Sequence, residues 1–516
     1  MRTVADDLLA HAARHPGRVA LSTPDGEVTY ARLAARIEEL TRLLRGRGAR
    51  PETVCAVAAE PGADAVAAVA AVLRSGAAFL SLDPGQPRER LAAFTRGADA
   101  RLLLTTGALA DRLGLGLPTV RLDAPPPSAP ATAPLPPGTA TAPLPPGTAT
   151  VPPPPPVEPR SLAYVTHTSG STGEPSAVLI EHAALDLYLR DTARAFGLGP
   201  GTVALQTAPP GYDASIRDTF APLLAGGRVV IVERARLLRP EEFARTVRDH
   251  GVTALLSTTP SFLTHLAGQP GLTDPLAGVT LVASSGESLR PFLAAGGRRL
   301  APGRLVNQYG PTECTMTTTR HDVPADPDPA GDPVGTPRTG TLVRVLDAAL
   351  DPVPDGTVGE VYLGGAGVAR GYGGHPSRTA ARFVPDPWGP PGARLYRTGD
   401  LGHWGPDGLR YVGRTDRQVK IRGYRVDPAE IEGALLTHPA VTGAAVVPGT
   451  DDQGRTYLLA HVTGDLDGTT DGALRAHLAR SLPPHLMPRT FRRHTALPVN
   501  RAGKTDRRGL LAGRPS

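Results

Sequence analysis

The chain has 516 residues, which is enough for roughly two to four domains with substantial cores. Its 55 basic residues exceed its 49 acidic ones, but both kinds are dispersed along the chain and only 4% of residues are aromatic. This composition argues against nucleic-acid binding, which concentrates positive charge and often interleaves aromatic residues. The sequence has no apolar run long enough to cross a bilayer, and acids interrupt its N-terminal segment, where a signal peptide would be apolar. We therefore expect a cytoplasmic protein that does not bind membranes.

Cysteine and lysine are both rare. Two cysteines, Cys55 and Cys314, are too few for a disulfide framework or a cysteine-based zinc site. Among the 55 basic residues only Lys420 and Lys504 are lysines, so arginine has replaced lysine almost everywhere. Because a compact, flexible ammonium differs from a planar guanidinium, the two lysines are candidates for a chemical role, although chance survival would also explain them.

The first predicted element is an amphipathic helix over residues 29–46, in which leucine and isoleucine recur on one face. The Ala-rich segment 63–73 predicts a buried helix. Short apolar runs between helical patterns predict strands at Val54–Ala58, Arg228–Val232, Val279–Ala283 and Thr341–Leu346. Strands that alternate with helices indicate a layered α/β protein.

A proline-rich segment, residues 124–159, interrupts this pattern. A nine-residue sequence occurs at Thr132–Ala140 and repeats directly at Thr141–Ala149. Such a segment buries no core, so we expect a flexible, extended surface insertion; a ligand for a proline-binding domain is the alternative.

The pattern of predicted helices and strands indicates a domain boundary near Asp416. We expect an N-terminal core over residues 1–415 and a small α+β domain over residues 416–516. The elements predicted for the small domain are a helix at Pro428–His438 and strands at Ala444–Val447 and Leu458–Val462.

A glycine-rich loop, residues 168–173, follows the apolar run Leu162–Val165. It consists of Thr168, Ser169, Gly170, Ser171, Thr172 and Gly173. Small hydroxylated residues between glycines let backbone N–H groups and hydroxyls approach phosphate oxygens. The loop alone is a weak signal, because an ordinary flexible connection has the same composition.

Further motifs follow in a fixed order. They are Asn307–Glu313, Gly359–Glu360, Gly367–Tyr372, Tyr396–Leu401, Gly413–Gly423 and Gly503–Arg507. With the glycine-rich loop, they make the sequence resemble the adenylation domains of nonribosomal peptide synthetases, within the adenylate-forming superfamily that includes acyl-CoA ligases. The resemblance extends from Val28 to Arg507.

The resemblance implies a fold and a set of nucleotide-binding residues. The fold would be α/β, with a large multi-subdomain N-terminal domain of layered sheets and helices and a small, mobile α+β C-terminal domain. The cleft between the domains would bind ATP and a carboxylic acid. The implied ATP-binding residues are residues 168–173, Asn307, Tyr309 against adenine, Gly310, Thr312, Asp400 at the ribose, and Arg414.

The resemblance also implies the residues that act on the phosphates. Glu313 would hold Mg²⁺, which absorbs phosphate charge. Asp416 would be the hinge between the domains, and Lys420 would take part in the thioester step. Lys504 would be the catalytic lysine, placing a cation where the carboxylate attacks the α-phosphate. This assignment agrees with the rarity of lysine.

The amino-acid pocket follows from the same resemblance. Its wall would comprise Asp213, Ala214, Arg217, Ser257, Val282, Ser284, Gln308, Met316 and Thr317. Asp213 would pair with an α-ammonium group, which favours an α-amino acid. Arg217 predicts an anionic or strongly hydrogen-bonding side chain on the substrate; alternatively, Arg217 points to solvent or pairs with Asp218.

One position departs from the family pattern. Where the family has Pro-Lys-Gly after the glycine-rich loop, this chain has Pro175, Ser176 and Ala177. The cation beside the phosphates is therefore missing, and no further lysine exists to supply it. We expect that Ser176→Lys raises the adenylation rate or lowers the apparent KM for ATP.

The predicted function is activation of an amino acid by ATP to aminoacyl-AMP, with release of pyrophosphate. Transfer to the phosphopantetheine thiol of a separate carrier protein would follow in peptide natural-product biosynthesis, and a small activator protein is a further possible partner. The alternatives are an acid–CoA or acid–amine ligase that uses the same adenylate, and a non-catalytic homologue, which Ser176 suggests.

Overall fold

The computed structural model describes residues 3–124, 157–169, 175–269, 271–328, 331–451, 455–499 and 505–511. The proline-rich repeats, Gly170, Ser171, Thr172, Gly173 and Lys504 lie outside the described residues, and so do the predictions made for them. The helices in the described part of the chain are α1 (Val4–Arg14), α2 (Tyr30–Gly46), α3 (Ala63–Ser75), α4 (Arg88–Gly97), α5 (Gly107–Leu113), α6 (His182–Ala195), α7 (Ala214–Leu224), α8 (Arg234–Leu237), α9 (Pro240–His250), α10 (Pro260–Ala267), α11 (Arg290–Ala294), α12 (Pro376–Arg382), α13 (Pro428–Leu436), α14 (Asp471–Leu478) and α15 (Arg507–Leu511).

The strands up to residue 310 are β1 (Val19–Thr23), β2 (Gly26–Thr29), β3 (Val54–Ala58), β4 (Ala78–Leu82), β5 (Ala100–Thr105), β6 (Thr119–Arg121), β7 (Leu162–Thr168), β8 (Ser176–Glu181), β9 (Val203–Leu205), β10 (Arg228–Val230), β11 (Ala254–Thr258), β12 (Leu281–Ser285) and β13 (Arg304–Tyr309). Those beyond it are β14 (Thr319–Asp322), β15 (Pro333–Pro337), β16 (Thr341–Leu346), β17 (Gly359–Gly365), β18 (Gly371–Tyr372), β19 (Phe383–Pro385), β20 (Arg394–Gly405), β21 (Gly408–Arg414), β22 (Val419–Ile421), β23 (Tyr424–Val426), β24 (Gly443–Thr450), β25 (Thr456–Thr463) and β26 (Thr490–Arg493).

Two large sheets form the first part of the chain. One has seven strands in the order β18-β8-β7-β4-β3-β5-β6, and the other has fourteen, with β13, β12, β11, β9, β10 and β1 as a parallel run. The largest apolar cluster includes one face of each sheet, with Leu21 of β1 and Val57 of β3, and also buried residues of α1, α2, α3, α6 and α7. These helices therefore lie between the sheets, which is the layered arrangement that two apolar sheet faces require.

The last part of the chain has a separate core. Strands β24, β25 and β26 form a three-stranded sheet, and β22 and β23 form a two-stranded hairpin. One cluster joins Ile421, Ile431, Leu474 and Phe491, all from residues beyond 420. Together with the two large sheets, this confirms the predicted α/β class with a smaller α+β unit. The domain boundary near Asp416 stays a prediction.

Local sequence signals predicted several elements correctly. Helix α2 begins after Thr29, whose side chain accepts a hydrogen bond from the Arg32 amide as an N-cap. The Ala-rich segment forms α3, and the run Val54–Ala58 forms β3. Among the described residues, no helix combines the length and apolar character needed to cross a membrane.

Candidate functional site

The predicted adenine and ribose residues meet at the end of β13. The Tyr309 hydroxyl donates to Asp400 Oδ2 at 2.7 Å, and Arg414 donates to Asp400 Oδ1. Burial and the neighbouring Asp400 carboxylate raise the pKa of Tyr309, so its hydroxyl stays protonated and acts as a donor. The order of the motifs along the chain does not indicate how far apart these residues lie in the fold. In the structure, strand β20 pairs with β21, which places Asp400 opposite Arg414.

Arg414 also contacts the predicted hinge residue. Its Nε and Nη2 atoms donate to the two carboxylate oxygens of Asp416 at 2.7 and 2.8 Å. Burial disfavours the charged guanidinium, but Asp416 and Asp400 outweigh burial and raise the pKa of Arg414. The bidentate geometry fixes the carboxylate plane, and Arg414 thereby links Asp416 to Asp400.

The loop after β13 requires glycine at residue 310. A Cβ atom there would lie 2.5 Å from Thr317 Cα, so only glycine permits the close approach of the two backbone segments. Thr315 and Met316 have positive φ angles of 57° and 69°, although neither is glycine. Such strained backbone concentrates at functional sites, and Met316 is one of the predicted pocket residues.

Two more predicted ATP-binding residues lie around this loop. Asn307 is buried, and its Nδ2 atom donates to the Pro333 carbonyl at 2.9 Å, so its side chain is engaged with the first residue of β15. Thr312 begins the 3-10 turn Thr312–Cys314, which carries Glu313.

Glu313, the predicted Mg²⁺ ligand, is fully buried and faces a guanidinium. Arg425 Nη1 lies 3.2 and 3.0 Å from its two carboxylate oxygens, and the Tyr372 hydroxyl donates to Oε1 at 2.8 Å. Burial would raise the pKa of Glu313, but Arg425 and the hydrogen bonds from the backbone, Tyr396 and Tyr372 together outweigh burial and lower it. An ionised carboxylate fits Mg²⁺. In this conformation Arg425 neutralises the carboxylate, so a metal ion would have to replace Arg425.

The β22–β23 hairpin lies inside the candidate site. Lys420 Nζ is 5.9 Å from the centre of the Tyr309 ring and 5.4 Å from that of Tyr411. Gly423 N donates to Glu287 Oε1 at 2.8 Å. Burial lowers the pKa of Lys420. The lysine predicted for the thioester step is therefore beside Tyr309, the residue predicted to contact adenine, in this conformation.

The described ends of the glycine-rich loop also contact other elements. Thr168 and Ser176 are paired across β7 and β8, so they face each other where the loop leaves the sheet. Ser169 Oγ donates to the Arg425 carbonyl at 3.0 Å, which connects the loop with the hairpin. Arg378 Nη1 donates to Ser176 Oγ. Arg378 had no signal in the sequence.

Asp213 lies at the N-terminus of α7, directly before Ala214, the first residue of that helix. Burial raises the pKa of Asp213, although Thr312 and Arg217 partly oppose the shift. Its Oδ2 atom is buried and has no hydrogen-bond partner among the described residues. A carboxylate in this state is suited to receive a cationic donor such as an ammonium group.

Arg217 is the largest fully buried side chain of the described residues, with 1% exposure. Its Nε and Nη2 atoms donate to Ser257 Oγ at 3.1 and 2.9 Å, and its Nη1 atom donates to the Tyr188 hydroxyl at 3.0 Å. Ser257 Oγ in turn donates to Asp218 Oδ1. The alternative that Arg217 points to solvent is therefore wrong, and its connection to Asp218 passes through Ser257.

The remaining wall residues are buried and mostly polar. The Tyr188 hydroxyl and Thr317 Oγ1 are 3.0 Å apart, and Thr317 Oγ1 is 3.5 Å from Gln308 Oε1. Gln308 Nε2 and Ser284 Oγ are buried without a partner in the described structure. Val282 and Met316 add apolar surface. Four of the predicted wall residues, Arg217, Ser257, Gln308 and Thr317, thus form a connected polar network, to which the structure adds Tyr188.

A second buried guanidinium belongs to Arg338, which the sequence did not single out. Its Nε atom donates to the Thr317 carbonyl at 2.5 Å, and its Cζ atom lies 4.5 Å from the centre of the Tyr188 ring. It is 5% exposed, and its Nη1 and Nη2 atoms have no hydrogen-bond partner among the described residues. Burial lowers the pKa of Arg338. Two guanidinium groups therefore contact Tyr188, one at its hydroxyl and one over its ring.

Lys504 itself lies outside the described residues. Val499 and Thr505, which flank residues 500–504, form an antiparallel β-bridge. Arg507 Nη2 donates to Glu432 Oε1 at 2.7 Å, which holds α15 near α13.

Two family models match most of the chain. A family model described as AMP-binding enzyme matches residues 8–373, and one described as AMP-binding enzyme C-terminal domain matches residues 430–504. The chain belongs to the AMP-binding enzyme family. Within that family it is of the nonribosomal peptide synthetase adenylation-domain type, and it is an AMP-forming ligase by class.

Its relatives include large synthetases. Phosphinothricin tripeptide synthetase PhsC of Streptomyces viridochromogenes is 39% identical over 514 residues, 99% of this chain and 45% of that protein. A dimodular nonribosomal peptide synthase of Bacillus subtilis is 34% identical over 515 residues, 96% of this chain and 20% of that protein. The chain thus spans less than half the length of these two relatives.

Two solved structures have the same fold. Holo-PA1221, a nonribosomal peptide synthetase protein containing adenylation and PCP domains bound to a vinylsulfonamide inhibitor, has a TM-score of 0.81 at 30% identity, covering 99% of this chain and 84% of that one. The amide bond synthetase McbA from Marinactinospora thermotolerans has a TM-score of 0.82 at 25% identity, covering 100% of both chains. These structures confirm the predicted fold class.

Proposed function

We propose that this protein activates an α-amino acid with a polar, anionic side chain to its aminoacyl adenylate, using ATP and releasing pyrophosphate. The observation that carries the proposal is the arrangement of charges around Arg217 and Tyr188. Asp213 offers an unpartnered carboxylate oxygen, and Arg338 offers guanidinium nitrogens that have no partner among the described residues. An amino acid with an α-ammonium group at one end and an anion at the other would complement both.

The roles of the chain's residues follow from chemistry. Asp213 would bind the α-ammonium group, and Arg217 and Arg338 would face the side-chain anion. Tyr309 and Asp400 would hold adenosine once the β22–β23 hairpin withdraws. Lys504 would stabilise the charge that develops when the substrate carboxylate attacks the α-phosphate. Glu313 would hold Mg²⁺, which neutralises phosphate charge when bound.

The second step needs an acceptor. We propose the phosphopantetheine thiol of a carrier protein, because PA1221 contains adenylation and PCP domains and because Lys420 lies beside Tyr309 in this conformation. The similarity to an amide bond synthetase over 100% of both chains supports a second candidate, in which an amine accepts the acyl group. Comparing carrier protein, CoA and amines as acceptors distinguishes these reactions.

The central test is amino-acid-dependent exchange of radioactive pyrophosphate into ATP, with a panel of amino acids. We expect the highest kcat/KM with an amino acid whose side chain is anionic. Preference for an aliphatic or aromatic amino acid would contradict the proposed pocket. No exchange with any amino acid, while ATP still binds, would favour the non-catalytic alternative.

Lys504→Ala tests the catalytic assignment. Because the ammonium acts where charge develops in the transition state, we expect exchange to fall by about 10²-fold or more. ATP affinity, measured by titration calorimetry, should change little. Near-normal exchange in this variant would show that Lys504 is not the catalytic cation.

A further inference from the structure

The missing lysine at residue 176 has a neighbour that carries a positive charge. Ser176 is the first residue of β8 and is paired with Thr168, so it lies where the glycine-rich loop returns to the sheet. Arg378, which is 202 residues away in the sequence, donates from Nη1 to Ser176 Oγ. A guanidinium on α12 therefore reaches the position from which a lysine would have extended.

Further contacts hold Arg378 in this position. Its Cζ atom lies 4.8 Å from the centre of the Tyr372 ring, a cation–π arrangement. Thr379, the next residue of α12, accepts a hydrogen bond from the Tyr372 amide at 3.0 Å. The Tyr372 hydroxyl donates to Glu313 at 2.8 Å. The chain of contacts thus runs from the end of the glycine-rich loop to the carboxylate proposed to hold Mg²⁺.

We propose that Arg378 supplies, from α12, the positive charge beside the ATP phosphates that the missing lysine would supply from β8. The proposal rests on the proposed use of ATP by this site. A guanidinium has five N–H donors, so the hydrogen bond to Ser176 uses only part of its capacity to bind phosphate oxygens. The small Ser176 side chain leaves space for the arginine, whereas a lysine there would put two cations side by side.

The proposal predicts different effects of Arg378 on the binding of ATP and of AMP. ATP carries two more phosphate groups than AMP, so a cation at the glycine-rich loop should contribute to the binding of ATP much more than to that of AMP. A residue that only connects α12 to β8 would affect both nucleotides alike. The ratio of the two affinities therefore separates a phosphate-binding role from a structural one.

The experiment measures ATP and AMP affinities of the full chain by titration calorimetry in the presence of Mg²⁺. Arg378→Met keeps the aliphatic stem on Tyr372 and removes the charge. We expect ATP affinity to fall about tenfold, as for loss of one charge-assisted hydrogen bond, with AMP affinity within about twofold. Arg378→Lys should recover most of the loss. Arg101→Ala is the matched control, because Arg101 is 67% exposed and pairs only with nearby Asp99 among the described residues.

Moving the positively charged side chain from residue 378 to residue 176 provides a second, independent test. We expect Ser176→Lys alone to leave ATP affinity unchanged or to lower it, because its ammonium would lie next to Arg378. Ser176→Lys combined with Arg378→Met should restore affinity to within about threefold of the original protein. The family pattern alone predicts the opposite, namely that Ser176→Lys by itself raises the adenylation rate or lowers the apparent KM for ATP, so this variant discriminates between the two predictions.

Two results would overturn the proposal. Equal losses of ATP and AMP affinity in Arg378→Met would indicate a structural role, and so would a failure of Arg378→Lys to recover ATP affinity. Because both measurements are made by binding, they stand even if the chain proves inactive in pyrophosphate exchange. A failure of the proposed function and a failure of this inference are therefore distinguishable.

Discussion

Arg338, beside the proposed amino-acid pocket, is a buried charge whose nitrogens are incompletely partnered in the described structure. It is 5% exposed and stacks on Tyr188, and its Nη1 and Nη2 atoms lack hydrogen-bond partners among the described residues. An unpaired buried charge costs several kcal/mol, and replacing it by an apolar residue of similar volume is often stabilising. A side chain retained at such a cost is a candidate for ligand binding.

We therefore predict opposite effects of Arg338→Met on stability and activity. The free energy of unfolding should stay the same or rise by about 1 to 3 kcal/mol. The kcat/KM for the preferred amino acid should fall by about tenfold or more, because its anion loses a charged partner. Chemical unfolding and pyrophosphate exchange measure the two quantities. Lower stability with unchanged amino-acid preference would show that Arg338 is structural.

Arg217 is predicted to behave differently, because it already has hydrogen-bond partners. Arg217→Ala removes donors from Ser257 and Tyr188 and leaves Asp218 buried. We expect kcat/KM for an anionic amino acid to fall by about 10²-fold or more, with the KM for ATP nearly unchanged. Exchange kinetics with both substrates varied provide the test. A rise in the KM for ATP of the same size would indicate general disruption of the site instead.

At the scale of elements, Gly423 lies at a close contact between the β22–β23 hairpin and the N-terminal elements. Gly423 has a φ of +83°, and a Cβ atom there would lie 2.5 Å from Thr259 Cγ2. Its amide donates to Glu287 at 2.8 Å. A side chain at residue 423 should therefore separate the hairpin from the N-terminal elements, and Lys420 would move away from Tyr309 with it.

We predict that Gly423→Ala impairs the acceptor step more than adenylation. Transfer of the acyl group to the acceptor should fall by about tenfold or more, while pyrophosphate exchange stays within about threefold. The matched control is Gly468→Ala, which has a similar φ of +76° but no atom within 4 Å of the added Cβ. It introduces the same backbone strain without a clash. Equal effects of the two variants on transfer would exclude hairpin docking as the cause.

The elements also show which features the sequence could predict. Helix α2 and strand β3 depend on local periodicity and a local cap, so short-range patterns were sufficient for them. Resemblance to a family added the register of pocket residues such as Arg217. Tyr188, Arg338 and Arg378 had no such signal. Tyr188 lies on the buried face of α6 between Leu185 and Leu189, a pattern that an ordinary core helix also shows.

The two arginines depend on long-range contacts that local patterns do not contain. Arg338 meets Tyr188 only because β15 and β16 bring the connection between them against α6. Arg378 meets Ser176 because β18 pairs with β8 and α12 follows β18 directly. In a chain where arginine replaces lysine almost everywhere, residue type alone does not distinguish them from surface arginines.

At the scale of the whole molecule, a few polar contacts join the small C-terminal unit to the rest. Arg90 of α4 and Glu430 of α13 form an ion pair whose side chains are only 10% and 2% exposed. His485 Nε2 lies 3.5 Å from the hydroxyl of Tyr212 in the N-terminal part, and within the C-terminal unit the His485 ring stacks on Tyr424 with ring centres 4.0 Å apart. Burial and the nearby Arg90 lower the pKa of His485 to about 3. A neutral imidazole is therefore built into the contact between the two units.

Other histidines are buried in the neutral form elsewhere in the fold. His182, the first residue of α6, is 2% exposed, and burial lowers its pKa to about 4. His461 of β25 is 1% exposed, and burial, followed by the neighbouring His494, lowers its pKa to about 4 as well. In the unfolded chain the same side chains have a pKa near 6.5. Between pH 6.5 and 4 the unfolded state therefore binds more protons than the folded state.

We predict that the protein loses stability as the pH falls through this range. The contribution of each histidine is fully present above pH 6.5, and about 1.4 kcal/mol of it should be lost at pH 5.5, because one pH unit corresponds to that free energy. Denaturant unfolding at pH 7.5 and 5.5 measures the change. His182→Gln removes one titrating group, so the difference between the two pH values should shrink by about 1.4 kcal/mol. Carboxylates contribute equally to both proteins, and the comparison therefore isolates His182. An unchanged difference in the variant would mean that His182 is already protonated in the folded protein or does not drive the loss.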